Sequence, residues 1–302
     1  MLTTTLYAST AATLQSDLAT AAANASGSNP YVIDVSAGTY VPGGSPTATF
    51  QMCDNTTIQG GYGGGTTILS GDETCYHVVT ATGANSSAVL ESVTVEEGNA
   101  DGSGGDSEGG GLYADNSTST HCTLTNCIFS DNSAATDGGA IYTDNTDQAL
   151  AMTGCTFEDN DAASGGAMFN VDSYAESAIE FTDCSFIDNG ATSGGAIYDS
   201  NADTGLSECT FNNSTYTGAS IHSGGAICSV DGSGPSYITL ENCTFTGMAV
   251  TSQGGAIYSN DSVLSADNCA FADDSAASGG GIYTFDSFDH SAHPLAARGF
   301  SQ

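Results

Sequence analysis

The chain has 302 residues with 35 acidic side chains and one basic one, Arg298, so its formal net charge is −34. Binding to nucleic acid or to an anionic membrane surface needs clustered Lys and Arg, so the composition excludes both. No apolar stretch is long enough for membrane insertion. A hydrophobic fraction of 39% is nevertheless high enough for a folded core.

Residues 1–30 are predicted to form a capping segment. Leu14 and Leu18 lie one helical turn apart among many alanines, which predicts an amphipathic helix over residues 9–24 that begins at Ser9 or Thr10. A strand over residues 31–35 follows. We expect the helix to cover the first end of a solenoid. The segment contains no secretory signal, so either a signal was removed or the chain is a fragment.

Two short motifs alternate after residue 108. The first is a Gly pair, a small residue, an aliphatic residue and usually an aromatic one. It begins at Gly109, Gly138, Gly165, Gly194, Gly224, Gly254 and Gly279, which are 25 to 30 residues apart. The second is Cys-x-Phe, which begins at Cys127, Cys155, Cys184, Cys209, Cys243 and Cys269. The segments between them are short and rich in Gly, Ser, Asn and Asp. This pattern favours the coils of a parallel β-helix over helical repeats.

Equivalent residues of successive coils stack into columns in such a fold. An aliphatic column from Leu112 to Ile282 and a Phe column from Phe129 to Phe271 are predicted to face the interior. The residue before each Cys is usually of a type that tolerates a left-handed backbone, which predicts a corner between two sheets. The six motif cysteines are predicted to be mostly free, buried thiols. Cys53 and Cys75, on either side of the Gly-rich residues 60–65, are the candidate disulfide.

A surface aromatic ladder is predicted one residue after the aliphatic column. Strand alternation places this column outside if the aliphatic residues are inside. Its rings either contact a glycan or a partner, or they stack to cover their own sheet. The ladder consists of Tyr113, Tyr142, Phe169, Tyr198, Tyr258 and Tyr283.

A column of acidic residues follows the Phe column. Asp131, Asp159 and Asp188 would lie in successive coils, where stacked carboxylates repel one another and Ca²⁺ would relieve the repulsion. The alternative is three solvated carboxylates that point apart. No other cofactor is predicted.

Asn-x-Ser/Thr sequences mark candidate N-glycosylation sites. Asn242 also has this sequence but is set aside, because it is predicted to lie at a corner beside an interior Cys. The candidates are Asn24, Asn55, Asn85, Asn116, Asn212, Asn213 and Asn260.

The Gly-Gly-Ala-Ile motif together with Phe-x-x-Asn, intact at Phe129, Phe157 and Phe186, resembles the repeats of chlamydial polymorphic outer-membrane proteins. More broadly it is similar to secreted right-handed parallel β-helix proteins. The resemblance implies an extracellular or cell-surface location and an adhesive or structural role. The predicted fold is therefore all-β, a right-handed parallel β-helix of about nine coils over residues 31–289, followed by an irregular tail over residues 290–302.

Three functions are compatible with this pattern. The first is a glycosylated structural protein that binds copies of itself head to tail in a filament, through a C-terminal coil predicted to lack a cap. The second is an adhesin or module that binds cell-surface glycans or proteins. The third, a polysaccharide-active enzyme, is disfavoured because uronate-cleaving relatives use an Arg base and other basic residues, whereas this chain has no Lys and its single Arg, Arg298, lies in the tail. We therefore predict that the chain is not an enzyme.

Overall fold

The computed structural model describes residues 3–82, 88–116, 122–145, 150–172, 178–213, 215, 221–231, 236–285 and 296–298. Its parallel strands wind into a solenoid with three sheets, A, B and C, that run along its axis. Each regular coil contributes one short strand to each sheet, and successive coils pair in register. The prediction of an all-β solenoid of about nine coils is confirmed, since sheet C has nine strands.

Sheet A contains the strands that precede the corner of each coil. They are β1 (Thr4–Ala8), β2 (Tyr31–Tyr40), β4 (Thr56–Ser70), β6 (Ala88–Glu91), β10 (Cys122–Thr125), β14 (Ala151–Thr153), β17 (Ala178–Thr182), β20 (Asp203–Ser207), β23 (Tyr237–Glu241), β26 (Val263–Asp267) and β29 (Ala296–Arg298).

Sheet B follows the corner and carries the Phe column. Strand β4 is long enough to bend through the corner and pair in both sheets A and B. The other strands of sheet B are β7 (Thr94–Glu96), β11 (Ile128–Ser130), β15 (Thr156–Glu158), β18 (Ser185–Ile187), β21 (Thr210–Asn212), β24 (Thr244–Thr246) and β27 (Ala270–Ala272).

Sheet C begins after each Gly pair and carries the aliphatic column. Its strands are β3 (Phe50–Gln51), β5 (Val79–Thr80), β9 (Leu112–Asn116), β13 (Ile141–Asn145), β16 (Met168–Asp172), β19 (Ile197–Ser200), β22 (Ile227–Val230), β25 (Ile257–Asn260) and β28 (Ile282–Phe285). A separate pair, β8 (Asn99–Ala100) and β12 (Ser133–Ala134), and a 3-10 turn at Gly104–Ser107 complete the described elements.

The predicted N-terminal helix is confirmed as α1 (Ala11–Asn24). Thr10 caps it, because its side chain accepts a hydrogen bond from Thr13 N while the Thr13 side chain accepts one from Thr10 N. Leu14 and Leu18 are buried in the main core, so the helix covers the end of the solenoid. Among the described residues, no helix has the length and apolarity that a membrane crossing requires.

The predicted corners and interior columns are also confirmed. The six residues before the motif cysteines all have a left-handed backbone, with φ between 52° and 65°. The aliphatic column is fully buried from Leu112 to Ile257, and the rings of the Phe column stack with centroids 4.5 to 5.3 Å apart. This stacking makes one continuous core along the solenoid.

The two glycines of each Gly pair have different structural roles, as Gly194 and Gly195 illustrate. Gly194 has a φ of 63°, a conformation that side chains with a Cβ rarely adopt. A Cβ on Gly195 would lie 2.2 Å from Gly225 O of the next coil. The pair is therefore required by the backbone path and by the close approach of successive coils.

An asparagine ladder explains the last residue of the Phe-x-x-Asn motif. Asn132, Asn160 and Asn189 are buried in successive coils. The Asn160 side chain donates to Asn189 Oδ1 at 2.9 Å and accepts from Asn132 Nδ2 at 3.1 Å. The ladder satisfies backbone groups at a turn where no regular strand pairing does so.

The predicted disulfide between Cys53 and Cys75 is wrong in this structure, where both residues are free thiols. Cys53 Sγ lies 3.8 Å from Leu18 O of α1, whereas Cys75 Sγ lies 3.8 Å from Ser45 O. The two thiols therefore contact different parts of the chain. The six motif cysteines are free and buried, as predicted.

The predicted irregular tail over residues 290–302 needs a correction as well. Within it, β29 pairs in parallel with β26, with Ala296 opposite Ser265 and Arg298 opposite Asp267. Sheet A therefore continues into the segment that the sequence suggested was irregular. Alanines with no strand alternation gave no local signal for this pairing.

Candidate functional site

A groove on the outer face of sheet A carries an exposed aromatic ring, Tyr237. It lies across β17, β20 and β23, where Glu180, Gly205 and Thr239 occupy equivalent positions of three successive coils. Its cavity volume is about 270 Å³. The lining residues are Glu180, Asp203, Thr204, Gly205, Leu206, Ser207, Tyr237, Thr239 and Glu241.

Gly205 creates the groove because the strands on either side carry side chains at the same position. A Cβ on Gly205 would lie 2.5 Å from Glu180 Oε2, so the Glu180 carboxylate occupies the space that a side chain at position 205 would fill. A glycine inside a strand often marks such a close approach. The signal for this groove in the sequence is a Gly at an outward position of a regular coil, where the neighbouring coils have Glu180 and Thr239.

The walls of the groove combine one aromatic ring with three carboxylates. Tyr237 is 45% exposed, and its backbone N–H donates to Asp203 Oδ1 at 2.8 Å, which ties the start of β23 to β20. Glu180 and Glu241 contribute the other carboxylates. Carboxylate oxygens accept hydrogen bonds from hydroxyl groups, and a tyrosine ring offers an apolar face with a polar tip. The groove can therefore contact a flat, hydroxylated ligand.

The surface aromatic ladder forms, and its rings are half-buried rather than fully exposed. Tyr113, Tyr142, Phe169 and Tyr198 stack with centroids 5.1 to 5.7 Å apart, and His77 extends the stack by lying 4.7 Å from Tyr113. Cys228 interrupts the column before Tyr258 and Tyr283, which stack at 5.8 Å. Because the ring faces are used within the stack, the ladder covers its own sheet.

Two titratable rings of this column are perturbed by burial. Burial raises the pKa of Tyr198 to about 12, with a smaller contribution from Cys228. Burial lowers the pKa of His77, opposed by its hydrogen bond with Gly109 O and by Asp106. Both effects favour the neutral side chains, as expected for rings that pack against a sheet.

Calcium binding by the column of acidic residues stays a prediction. Asp131, Asp159 and Asp188 do follow one another in successive coils, with φ values of 54°, 54° and 50° at a turn. Burial raises the pKa of Asp159, and the charges of Asp131 and Asp188 raise it further. Across the described ranges, however, no three or more His, Cys, Asp or Glu side chains are placed to hold a metal ion. Asp131 and Asp159 are exposed, whereas Asp188 is half-buried and accepts hydrogen bonds from the backbone N–H and the hydroxyl of Thr215.

The candidate glycosylation sites differ in exposure. Asn24 and Asn212 are exposed, whereas Asn55, Asn213 and Asn260 are half-buried. Asn213 Nδ2 donates to Asn189 O at 2.9 Å, and Asn260 Oδ1 is buried without a partner. Asn85 and the side chain of Asn116 lie outside the described residues. A glycan is attached to Nδ2, so Asn24 and Asn212 are the sites most accessible to modification.

Comparison with known protein families identifies the family of this chain. The family described as right handed beta helix region matches residues 52–234, more than half of the chain. The chain therefore belongs to the right-handed β-helix family. No curated protein sequence matches it.

One solved structure, an alginate lyase from Paenibacillus sp. str. FPU-7, aligns over 99% of both chains at 14% identity and a TM-score of 0.30. A TM-score this low carries no argument about fold or chemistry. The narrower resemblance to chlamydial surface proteins stays a prediction.

Proposed function

We propose that this protein is a non-catalytic, surface-displayed β-helix that binds neutral glycans in the Gly205 groove. The observation that carries the proposal is the combination of an exposed Tyr237 ring with hydrogen-bond acceptors around a gap in one coil. Sugar rings have apolar faces and hydroxyl edges, which match these two kinds of group. The proposal keeps the predicted glycan-binding role but moves it from the aromatic ladder to the groove.

The charge of the molecule supports a neutral ligand. With a net charge of −34 and three carboxylates in the groove, a uronate or sulfated polymer would be repelled. The chain has no Lys, and its only Arg lies on β29, two strands from β23 in sheet A. Polyanionic polysaccharides are therefore disfavoured as ligands and as substrates.

Binding of neutral and acidic oligosaccharides to the purified full chain, measured on a glycan array and by calorimetry, tests this proposal. We expect neutral glycans to bind and Tyr237→Ala to weaken binding about tenfold, which corresponds to about 1.4 kcal/mol. Tyr62→Ala is the matched control, since Tyr62 is 49% exposed on a different coil. Gly205→Ala should also weaken binding, because its Cβ would displace the flexible Glu180 carboxylate while leaving the backbone in place.

Two results would overturn the proposal. Glycan binding that is equally strong in the wild type, Tyr237→Ala and Gly205→Ala would remove the groove as the site. Preferential binding of acidic glycans would contradict the electrostatic argument.

A second candidate, self-association, is favoured by the exposed edge at β27 and β28. Within the described residues, β27 pairs only with β24 and β28 only with β25. Ile282 is only partly buried although its equivalents in the preceding coils are fully buried, and Phe285 is 51% exposed. Unpaired strand edges can pair with another chain, which is how a head-to-tail filament would form.

Sedimentation velocity and electron microscopy at increasing protein and salt concentrations test self-association. Association should strengthen with salt, because salt screens the repulsion between chains of high negative charge. Phe285→Glu should weaken it, with Ile128→Glu as a control at a 38% exposed residue on β11, in the middle of the solenoid and away from both ends. Dispersed monomers under all conditions would exclude this candidate.

A further inference from the structure

One interior column of sheet C is polar, although the solenoid core around it is apolar. Thr143, Asn170, Asp199, Ser229 and Ser259 occupy equivalent positions of five successive coils, and each is at most 1% exposed. Asp199 is the only carboxyl group of the column and is fully buried. A buried carboxyl group without a cationic partner is costly unless it is protonated or fully hydrogen-bonded.

The hydrogen bonds of Asp199 are unequally divided between its two oxygens. Oδ1 accepts from Thr204 Oγ1 at 2.9 Å and lies 3.5 Å from Asn170 Nδ2. Within the described part of the chain, Oδ2 has no hydrogen-bond partner, and Asn170 Oδ1 is likewise buried without one. A carboxylate needs donors at both oxygens, whereas a carboxylic acid accepts at its carbonyl oxygen and donates from its hydroxyl. The distribution of hydrogen bonds between the two oxygens of Asp199 therefore matches a protonated carboxylic acid rather than a carboxylate.

We propose that Asp199 is a neutral carboxylic acid in the folded protein and that its Oδ2–H donates to Asn170 Oδ1. Together with the contact from Asn170 Nδ2 to Asp199 Oδ1, this bond closes a ring between the acid and the amide on adjacent strands β16 and β19. One proton then satisfies two buried oxygens that otherwise have no partner. The proton therefore links two coils of the solenoid, and we expect the stability of the folded protein to depend on it.

The surroundings of Asp199 raise its pKa to about 7. Burial makes the largest contribution, the hydrogen bonds from Thr204 and Asn170 oppose the rise, and the charge of Asp203 on β20 adds a smaller increase. Cys228 on β22 is the other titratable neighbour, and burial and the Asp199 charge raise its pKa to about 12. No cation among the described residues offsets the Asp199 charge.

The consequence is a loss of stability as the pH rises through neutrality. The folded state holds the proton more tightly than the unfolded chain, whose Asp has the ordinary pKa of 3.8, so the contribution is complete at low pH and is lost as the pH rises towards and past about 7. Between pH 5 and pH 9, linkage with these pKa values predicts an increase of about 100-fold in the unfolding equilibrium constant.

Urea denaturation of the full chain at pH 5 and pH 9 tests the proposal with three proteins. In the wild type, Asp199 should increase the unfolding equilibrium constant about 100-fold between pH 5 and pH 9. Asp199→Asn should lose that change, because an amide N–H can donate to Asn170 Oδ1 at both pH values. Asp183→Asn, which neutralises an exposed corner residue that already has a φ of 54°, should retain it. Asp274, whose pKa burial raises to about 6, contributes equally to all three proteins.

Infrared spectroscopy of the wild type gives a readout that does not require a folded variant. At pH 6 the spectrum should contain the C=O stretch of a buried carboxylic acid that resists hydrogen exchange, and this band should convert to carboxylate bands by pH 9. A wild type without that band at pH 6, or an Asp199→Asn variant with the same pH dependence as the wild type, would overturn the proposal.

Discussion

Replacement of Asn160 with alanine is expected to destabilise the β-helix strongly, although it removes only one small polar side chain. Asn160 Oδ1 accepts hydrogen bonds from Asn132 N and Asn132 Nδ2, both at 3.1 Å. Asn160 Nδ2 donates to Phe129 O at 3.0 Å and to Asn189 Oδ1 at 2.9 Å. The side chain is 1% exposed, so solvent does not replace these bonds. One residue therefore connects three coils.

The magnitude follows from the groups that lose their partner. The alanine variant leaves the Asn132 backbone N–H and one of the two Asn132 Nδ2 hydrogens without an acceptor, while the other still donates to Val95 O at 3.0 Å. Each buried donor without a partner costs about 1–3 kcal/mol. The free energy of unfolding should therefore fall by about 2–6 kcal/mol.

Urea denaturation followed by circular dichroism measures this change on protein produced without glycosylation. Asn212→Ala is the matched control, since Asn212 is an exposed asparagine two coils further along the solenoid. A surface substitution of this kind should change the stability by about 0.5 kcal/mol or less. Similar slopes with urea concentration would show that both variants unfold the same surface.

Equal stability of the Asn160→Ala and Asn212→Ala variants would refute the reasoning. It would mean that the backbone at the turn finds other hydrogen-bond partners, and that the last residue of Phe-x-x-Asn is not needed for stacking the coils.

Two further predictions concern the other columns. Phe186→Ala should lower the free energy of unfolding by about 3–5 kcal/mol, because the ring is 1% exposed and its centroid lies 4.9 and 4.5 Å from those of the neighbouring rings. A decrease smaller than that of a typical surface substitution in the same urea assay would contradict this prediction. Gly195→Ala should lower the yield and thermal stability of the folded protein, because its Cβ would meet a backbone carbonyl oxygen at 2.2 Å. Gly44→Ala, with no atom within 4 Å of the added Cβ, should have little effect, and equal losses in the two glycine variants would disprove the argument.

The regular part of the fold could be predicted from the sequence because each coil repeats the same chemical requirements. The column that begins at Leu112 is aliphatic in every coil because every coil fills the same interior position. Asn126 and its equivalents precede a Cys because each coil turns there with a positive φ. The N-terminal helix was predictable for a local reason, since its cap at Thr10 and its apolar residues lie within a few turns.

The irregular features could not be read from the same pattern. Cys53 and Cys75 flank a Gly-rich segment, but their partners come from α1 and from the loop at Ser45. The aromatic ladder was predicted correctly as a column, whereas the mutual stacking that covers its ring faces depends on rotamers. The pairing of β29 with β26 also depends on chain segments about 30 residues apart.

The sequence by itself determined much of the architecture of this protein: the period, the corner before each motif Cys, the interior columns and the scarcity of basic residues. These follow from repetition and composition, which are visible along one chain. Only the tertiary structure decided where residues that depart from the regular pattern form a surface groove, at Gly205, and a buried polar pair, at Asn170 and Asp199. Both are formed by residues of adjacent coils, 25 to 34 positions apart, whose meeting depends on register and burial rather than on any local motif.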